Sequence, residues 1–246
     1  MFYYIDTEFH EYHRKVITDS FGLTHVLIPT VDLISIGIVS DDDREYYAIC
    51  SDCCLKDAWE NWWLKENVLR SIFDHYRGYY WRDDYLPFGL DKFCLKTMQI
   101  LFKTFGFSRT EIAQQLTQFV YPQSYYEEAG IISDLNFCSA MTHADIQTHE
   151  NIQSKFTKEI ANKFSWPVFY GYYADYDWVV FAQLFGNMIS LPTGFPMYCK
   201  DLKQYLDDLN IFNVTEHPDY PKQEIKHNAL EDARWNKELH RFIITR

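Results

Sequence analysis

Asp6 and Glu8 are the first residues whose type and spacing suggest chemistry, because they follow an apolar, strand-like opening that reads FYYIDTEFHE. Residues two apart in a strand point to the same face, so both carboxylates project together. Two neighbouring anions at the end of a buried strand cost free energy unless something positive lies between them. Taken alone, the pair is also explained by a strand end that reaches solvent and forms salt bridges to Lys or Arg.

Asp177 is a second carboxylate on an otherwise apolar surface, in the segment YYADYDWVVFAQLFG. Helical counting places it on one stripe with Phe181, Leu184 and Phe185. Asp175 is predicted to be the N-cap of the same helix, which is a common structural role for Asp. Asp177 has no such explanation and needs a partner.

The C-terminal segment HNALEDARWN supplies the third carboxylate site. Asn228, with Glu231 three residues later, predicts an N-cap in a capping-box arrangement, so the helix is expected to begin at Ala229. Asp232 then lies at the start of the buried face of this helix, and His227 lies in the loop before it. The position in the loop frees His227 to point toward the same place as Asp232.

Three separate segments therefore bring acidic groups to core-facing surfaces. One metal site would explain them together, because hard oxygen ligands suit Mg²⁺ or Mn²⁺. The sequence predicts that this site is formed by Asp6, Glu8, Asp177 and Asp232.

The elements that must position these residues form an α/β pattern. Residues 1 to 50 predict a three-stranded meander, and the chain from about Leu55 to Phe164 reads as mostly helical. Further elements are predicted as a strand in WPVFYGYY, a helix through WVVFAQLFG, a short strand PMYC, a helix LKQYLDDL and a last helix ALEDARWNKELHRFI. The sum is a mixed sheet of about five strands flanked by helices.

Composition limits the class of protein. A chain of 246 residues with 47% hydrophobic residues predicts one domain over 1–246. Its apolar stretches are shorter than the roughly 18 residues of a membrane span, and we expect a soluble, cytoplasmic protein without a membrane partner. The six cysteines are expected to be reduced thiols, since CSDCC lacks a second cysteine pair for zinc.

Charge restricts the partners. The formal net charge of -12 argues against a protein that holds nucleic acid through a basic surface. A polyanion partner would need bound cations and stacking on aromatic residues, which make up 18% of the chain.

The ordered set of motifs resembles the DEDDh 3'-5' exonucleases of the RNase H-like superfamily. The similarity lies in Asp-x-Glu on the first strand, an Asp opening a central helix and His-x-x-x-x-Asp near the C-terminus. The segments DTEF, WLKENVL, EIAQQLTQFV, GYYADYDWVVFAQLFG and CKDLKQ are similar to a small subfamily of bacterial 3'-5' exoribonucleases. The DEDDy type would place Tyr where this chain has Asn228. Residues 75–106 and 124–164 look like largely helical insertions.

The resemblance implies an RNase H-like fold and a two-metal mechanism, with two Mg²⁺ or Mn²⁺ ions about 4 Å apart at the 3'-terminal phosphodiester. His227 would be the general base, beside Asp6, Glu8, Asp177 and Asp232 as metal ligands and catalytic residues. The substrate would be a single-stranded or overhanging RNA 3' end, and the product a nucleoside 5'-monophosphate. Relatives often form homodimers, which leaves a homodimer open for this chain.

Phe9 and Trp178 follow the first Glu and the central Asp and are candidates to bind the terminal bases, although Trp178 is equally explained by packing. Two other functions stay open. A 3'-5' DNA exonuclease would use the same site, and the preference for RNA rests on the resemblance alone. A catalytically silent nucleic-acid-binding protein would usually have lost a carboxylate or the histidine, and all five residues are present here.

Overall fold

The structure of the protein, a computed structural model, describes residues 1–17, 25–80, 92–121, 166–210 and 217–245. The predicted insertion at 124–164 lies outside the described residues, and so does part of the insertion at 75–106. Among the described helices, none combines the length and the apolar character needed to cross a membrane.

Five strands form one mixed sheet in the order β3-β2-β1-β4-β5. Their bounds are β1 Phe2–Ile17, β2 His25–Ser40, β3 Glu45–Ile49, β4 Val168–Gly171 and β5 Lys200–Asp201. The first three strands pair antiparallel, and β4 and β5 run parallel to β1. The predicted α/β fold with a five-stranded mixed sheet is confirmed, and its topology is compatible with an RNase H-like fold.

Helices surround this sheet in the described ranges. They are α1 Leu55–Glu60, α2 Arg70–Tyr80, α3 Leu95–Phe105, α4 Arg109–Val120, α5 Asp175–Leu184, α6 Leu202–Asp208 and α7 Ala229–Ile244. A π-helical turn, Leu64–Leu69, leads directly into α2, and a 3-10 turn covers Met188–Ser190.

Alternation along β1 separates two packing faces. Tyr3 and Ile5 point into a core that also contains residues of α4 and α5. Tyr4 points to the other face and packs with Leu239 of α7. Asp6 and Glu8 follow Tyr4 in the alternation, so both carboxylates lie on the α7 side of the sheet.

The predicted end of the first strand is wrong. β1 does not stop at Glu8 but continues to Ile17, paired with β2 throughout. Its pairing with β4 covers only Phe2 to Tyr4, so beyond Tyr4 one edge of β1 is no longer paired with β4. The change from apolar to acidic residues therefore marks where β1 loses β4 as its neighbour, not where β1 ends.

A β-bulge interrupts the pairing of β1 with β2 between Glu8 and Phe9. Glu8 is opposite Ser35 and Phe9 is opposite Leu33, so Ile34 is an extra residue in β2. Bulges increase the local twist and redirect side chains. The short strand predicted at PMYC is also displaced, because β5 contains only Lys200 and Asp201.

Candidate active site

Asp6 and Glu8 lie just past the carboxyl end of β4, which is where ligands commonly bind in open α/β sheets. Glu8 is buried and Asp6 is half-buried. Their shared face is covered by the beginning of α7, which brings the third carboxylate.

Asp232 lies in the first turn of α7. Asn228 is the N-cap, as predicted, and its side-chain oxygen accepts from the backbone N–H groups of Leu230 and Glu231 at 3.2 and 3.3 Å. The helix therefore begins at Ala229, and Asp232 is buried on its inner face. One carboxylate oxygen from each of Asp6, Glu8 and Asp232 lies within 4.8 Å of the other two.

Gly37 allows this approach. It is the cross-strand partner of Asp6, and a Cβ atom at this position would lie 2.2 Å from the carbonyl oxygen of Ala229. The first turn of α7 can therefore contact β2 only because residue 37 has no side chain. Asn236, one turn further on, fixes the helix by donating from Nδ2 to the carbonyl of Ile5 at 2.9 Å.

Asp177 reaches the same region from α5. It is buried, and its Oδ1 accepts from the backbone N–H and the hydroxyl of Thr7 at 2.8 and 2.6 Å. Thr7 lies between Asp6 and Glu8 in β1, so these two hydrogen bonds fix α5 beside the carboxylate pair. The helical stripe that predicted an inward Asp177 is confirmed, since Phe181 and Leu184 are buried as well.

Asp175 is not the N-cap that the sequence predicted. Ala174 is the N-cap, and Asp175 is the exposed first residue of α5. The carboxylate of Asp201 accepts instead from the backbone N–H groups of Tyr173 and Ala174 at 3.3 and 3.1 Å. A carboxylate from a neighbouring strand thus binds the free amides before α5, which sequence spacing does not reveal.

The carboxylates repel one another and are poorly solvated. Burial raises the pKa of Asp6 well above its ordinary value, and the negative charges of Asp177, Glu8 and Asp232 raise it further. The pKa of Glu8 is raised well above its ordinary value by burial and then by Asp232 and Asp177. Burial raises the pKa of Asp177 to about 7 and that of Asp232 to about 6, although hydrogen bonds partly oppose both shifts.

Salt bridges do not relieve this repulsion in the described part of the chain. Every ion pair found there involves other acidic residues. The alternative of a strand end neutralised by Lys or Arg is therefore not supported. A convergent, buried set of oxygen ligands with excess negative charge fits a hard divalent cation.

His227 lies beside Asp232 in the loop before α7. Its backbone N–H donates to Asp232 Oδ2 at 2.9 Å, and the residue has a φ of 59°, in the left-handed region. The side-chain amide of Gln223 donates to Asp232 Oδ1, so protein groups orient both oxygens. Burial, followed by the charge of Lys226, lowers the pKa of His227, which keeps the imidazole neutral at neutral pH.

Trp63 contacts His227 from the turn before α2. The two ring centroids are 4.8 Å apart with an interplanar angle of 74°, an edge-to-face arrangement. Sequence reasoning missed Trp63, Thr7 and Gln223. Of these three, only Trp63 could have been found from the sequence, because it begins the segment WLKENVL, which is similar to the exoribonucleases.

The two candidate base-binding aromatics have different environments. Phe9 is partly buried, with its ring 5.5 Å from that of Tyr176, which is 50% exposed. Trp178 is 7% exposed and stacks on Phe181 at 4.8 Å. Its burial favours the packing explanation that the sequence left open, whereas Phe9 and Tyr176 form an aromatic pair one residue beyond Glu8.

The cysteines of the described ranges are free thiols: Cys50, Cys53, Cys54, Cys94 and Cys199. The metal-compatible cluster found among the described residues consists of carboxylates and includes no cysteine. The free thiols agree with the expectation of reduced cysteines in the described ranges.

Comparison with protein-family models found no match, and comparison with curated proteins found none at a significant level. The assignment to the DEDDh exonucleases therefore stays a prediction from the order of the motifs.

Proposed function

We propose that this chain is a metal-dependent 3'-5' exoribonuclease that releases nucleoside 5'-monophosphates from RNA 3' ends. The observation that carries the proposal is the convergence of Asp6, Glu8 and Asp232 within 4.8 Å, from two segments more than 200 residues apart. Asp177 joins them from a third segment, and the backbone N–H of His227, in the same segment as Asp232, donates to Asp232. Carboxylate ligands for a divalent cation and a neighbouring histidine as general base support hydrolysis of a phosphodiester.

Asp6, Glu8 and Asp232 would hold the cation, with Asp177 beside them. Mg²⁺ or Mn²⁺ bound there would supply positive charge for the phosphodiester and lower the pKa of water. The protein prepares the ligands in advance, because Thr7 orients Asp177 and the loop before α7 orients Asp232. Such outer contacts fix the direction of ligand oxygens.

His227 is the group that takes a proton. In the proposed reaction a water oxygen forms a bond to phosphorus while the bond to the 3'-oxygen of the preceding nucleotide breaks. The water proton passes to the neutral imidazole, and the released 3'-oxygen gains a proton from solvent. The lowered pKa of His227 supports this role, since the base must be unprotonated at the start.

Trp63 contacts the imidazole ring of His227 edge-to-face, and the backbone N–H of His227 binds Asp232. Phe9, the next residue after Glu8 in β1, and Tyr176 of α5 offer aromatic surface for the terminal bases. Stacking of this kind binds any base, so we expect little dependence on the sequence of the 3' end.

The choice of RNA over DNA rests on the resemblance to the bacterial exoribonucleases. The test is incubation of matched RNA and DNA oligonucleotides, labelled at the 5' or the 3' end, with Mg²⁺ or Mn²⁺. Stepwise shortening of 5'-labelled RNA, with release of the 3' label as a mononucleotide, is the expected result. Equal or faster shortening of DNA would indicate the DNA exonuclease, and binding without shortening would indicate the silent binding protein.

A further inference from the structure

The outer parts of β1 and β2 form a two-stranded ribbon, residues 9–17 and 25–33, that extends beyond the five-stranded sheet. β3 pairs only with residues 35–39 of β2, and β4 only with residues 2–4 of β1. The base of the ribbon is fixed, because Asp32 accepts from the backbone N–H of Cys54 at 2.7 Å and binds Arg109. The ribbon therefore leaves the site in a defined direction.

One face of the ribbon continues the face that carries the carboxylates. The bulge adds its residue to β2, so alternation along β1 is unbroken from Glu8 through His10 and Tyr12 to Arg14. The rings of His10 and Tyr12 stack at 4.9 Å with an interplanar angle of 22°. His10 is buried, and its Nδ1 has no hydrogen-bond partner among the described residues.

The outer half of the ribbon differs in charge from the rest of the chain. Residues 12–17 and 25–31 include Arg14 and Lys15 and no acidic residue, whereas the whole chain has a net charge of -12. Arg14 is exposed. On the same face, Val26 and Ile28 are each 45% exposed, and Leu27 on the opposite face is 62% exposed.

We propose that this ribbon face binds the RNA strand upstream of the 3' end that enters the carboxylate site. The proposal rests on the proposed function and adds the path of the substrate. Arg14 contacts a phosphate, and bases contact Ile28 and the ring of Tyr12, whose hydroxyl is paired with Cys54 Sγ at 3.2 Å. Single-stranded nucleic acids are held by this combination of cationic and aromatic groups.

The path has a length that can be tested. Arg14 lies six residues beyond Glu8, which at ~3.3 Å per residue is about 20 Å. A stacked strand rises ~3.4 Å per nucleotide, so Arg14 would contact the RNA about six nucleotides from its 3' end. A dinucleotide cannot reach Arg14, whereas an RNA of about twelve nucleotides covers the whole ribbon face.

The experiment compares Arg14→Gln with the wild type by fluorescence anisotropy in the presence of Mg²⁺. The probes are a dinucleotide and an RNA of about twelve nucleotides, both with phosphorothioate linkages that resist hydrolysis. We expect the variant to bind the long RNA roughly three- to tenfold more weakly, with a salt slope reduced by about 0.7, and to bind the dinucleotide unchanged. Arg241→Gln, at the far end of α7, is the matched control and should bind both probes like the wild type.

Unchanged affinity and salt slope for the long RNA in Arg14→Gln would overturn the ribbon path while leaving the proposed function intact. A wild type that neither binds nor shortens 3' ends would instead reject the proposed function. Ile28→Thr tests a rival explanation, in which the apolar side chains of this face bind a second copy of the chain instead of RNA. If light scattering shows that Ile28→Thr dissociates a dimer without weakening RNA binding, the face is a protein interface and the proposal is wrong.

Discussion

Asp175 and Asp177 are two carboxylates of one helix, and substituting each in turn distinguishes a structural role from a functional one. Asp177 is buried and bound to Thr7, and Asp175 is exposed in the first turn of the same helix. Asp177→Asn keeps an oxygen for Thr7 but loses a negative charge from the site. We expect turnover to fall by about 100-fold, the upper end of what loss of an outer metal-site contact costs.

Asp175→Asn is the matched control for that measurement, with the same chemical change two residues away. Turnover should stay close to the wild-type rate, since Asp175 contributes only a favourable charge at the helix start. The opposite ranking of the two variants in a steady-state assay would show that α5 presents a different face to the site.

His227 is tested by His227→Asn, because Asn tolerates the left-handed backbone that residue 227 adopts. The backbone N–H to Asp232 is retained, so the ligand geometry should survive. Loss of a general base lowers the maximal rate by about 10²- to 10⁴-fold. Mg²⁺ affinity, measured by calorimetry, should be unchanged. A variant that loses Mg²⁺ binding together with turnover would assign His227 to the metal site instead.

Individual site residues were predictable where a periodicity exposed them. The period of two in β1 and the period of 3.6 in α5 and α7 each placed a carboxylate on a core-facing surface. Thr7 had no such signal, because its role depends on a contact with Asp177, 170 residues further along the chain. Gln223 lies in the loop nine residues before Asp232, where no periodicity points to it. Trp178 was a candidate for base binding only because it follows Asp177 in the sequence. Adjacent helical residues point in different directions, so Asp177 faces the site while Trp178 packs in the core.

At the scale of elements, the approach of α7 to β2 decides whether Asp232 reaches the strand carboxylates. Gly37→Ala places a methyl group against the carbonyl of Ala229, which is backbone and cannot rotate away. We expect the free energy of unfolding to fall by about 1–3 kcal/mol or more, as for other overpacked sites. Denaturant unfolding measures this loss, and turnover should fall as well because Asp232 is displaced.

Gly78→Ala is the control for Gly37→Ala. A Cβ at position 78 meets no atom within 4 Å, and the residue lies inside α2. Alanine should stabilise the helix by about 0.5–1 kcal/mol. Equal stability of the two variants would mean that α7 does not pack on β2 as closely as described.

The start of α7 was predictable because Asn228 is a local capping signal, and the structure confirms it. The end of β1 was not, because the acidic residues mark the loss of a neighbouring strand, which is a property of the whole sheet. The same reason explains Asp175, because Asp201 from β5, and not Asp175, binds the backbone N–H groups just before α5. Elements that depend on local residues were predicted well, and those set by pairing between segments were not.

At the scale of the whole molecule, the excess of negative charge should make the metal-free protein sensitive to pH. The pKa of Asp177 is raised to about 7, so the folded state binds more protons than the unfolded state between about pH 4 and 7. Stability therefore falls as pH rises through this window, and the penalty is fully present above pH 7.

Asp177→Asn removes that penalty and provides the test. In metal-free buffer at pH 8 the variant should melt at least about 2–4 °C above the wild type, the shift expected for ~1 kcal/mol in a chain of this size. The gain should shrink toward pH 4, where Asp177 is protonated in both states. A gain that is independent of pH would show that burial and the neighbouring charges do not raise the pKa of Asp177.

The most direct test of the account is the rate of nucleoside 5'-monophosphate release from an RNA 3' end, measured from excess EDTA through increasing Mg²⁺. If Asp6, Glu8 and Asp232 hold the cation, with Asp177 beside them, release should be absent in EDTA and should rise with Mg²⁺. Mg²⁺ should also raise the melting temperature over the same range, because it binds the folded state. Release that continues at the full rate in excess EDTA would contradict the account.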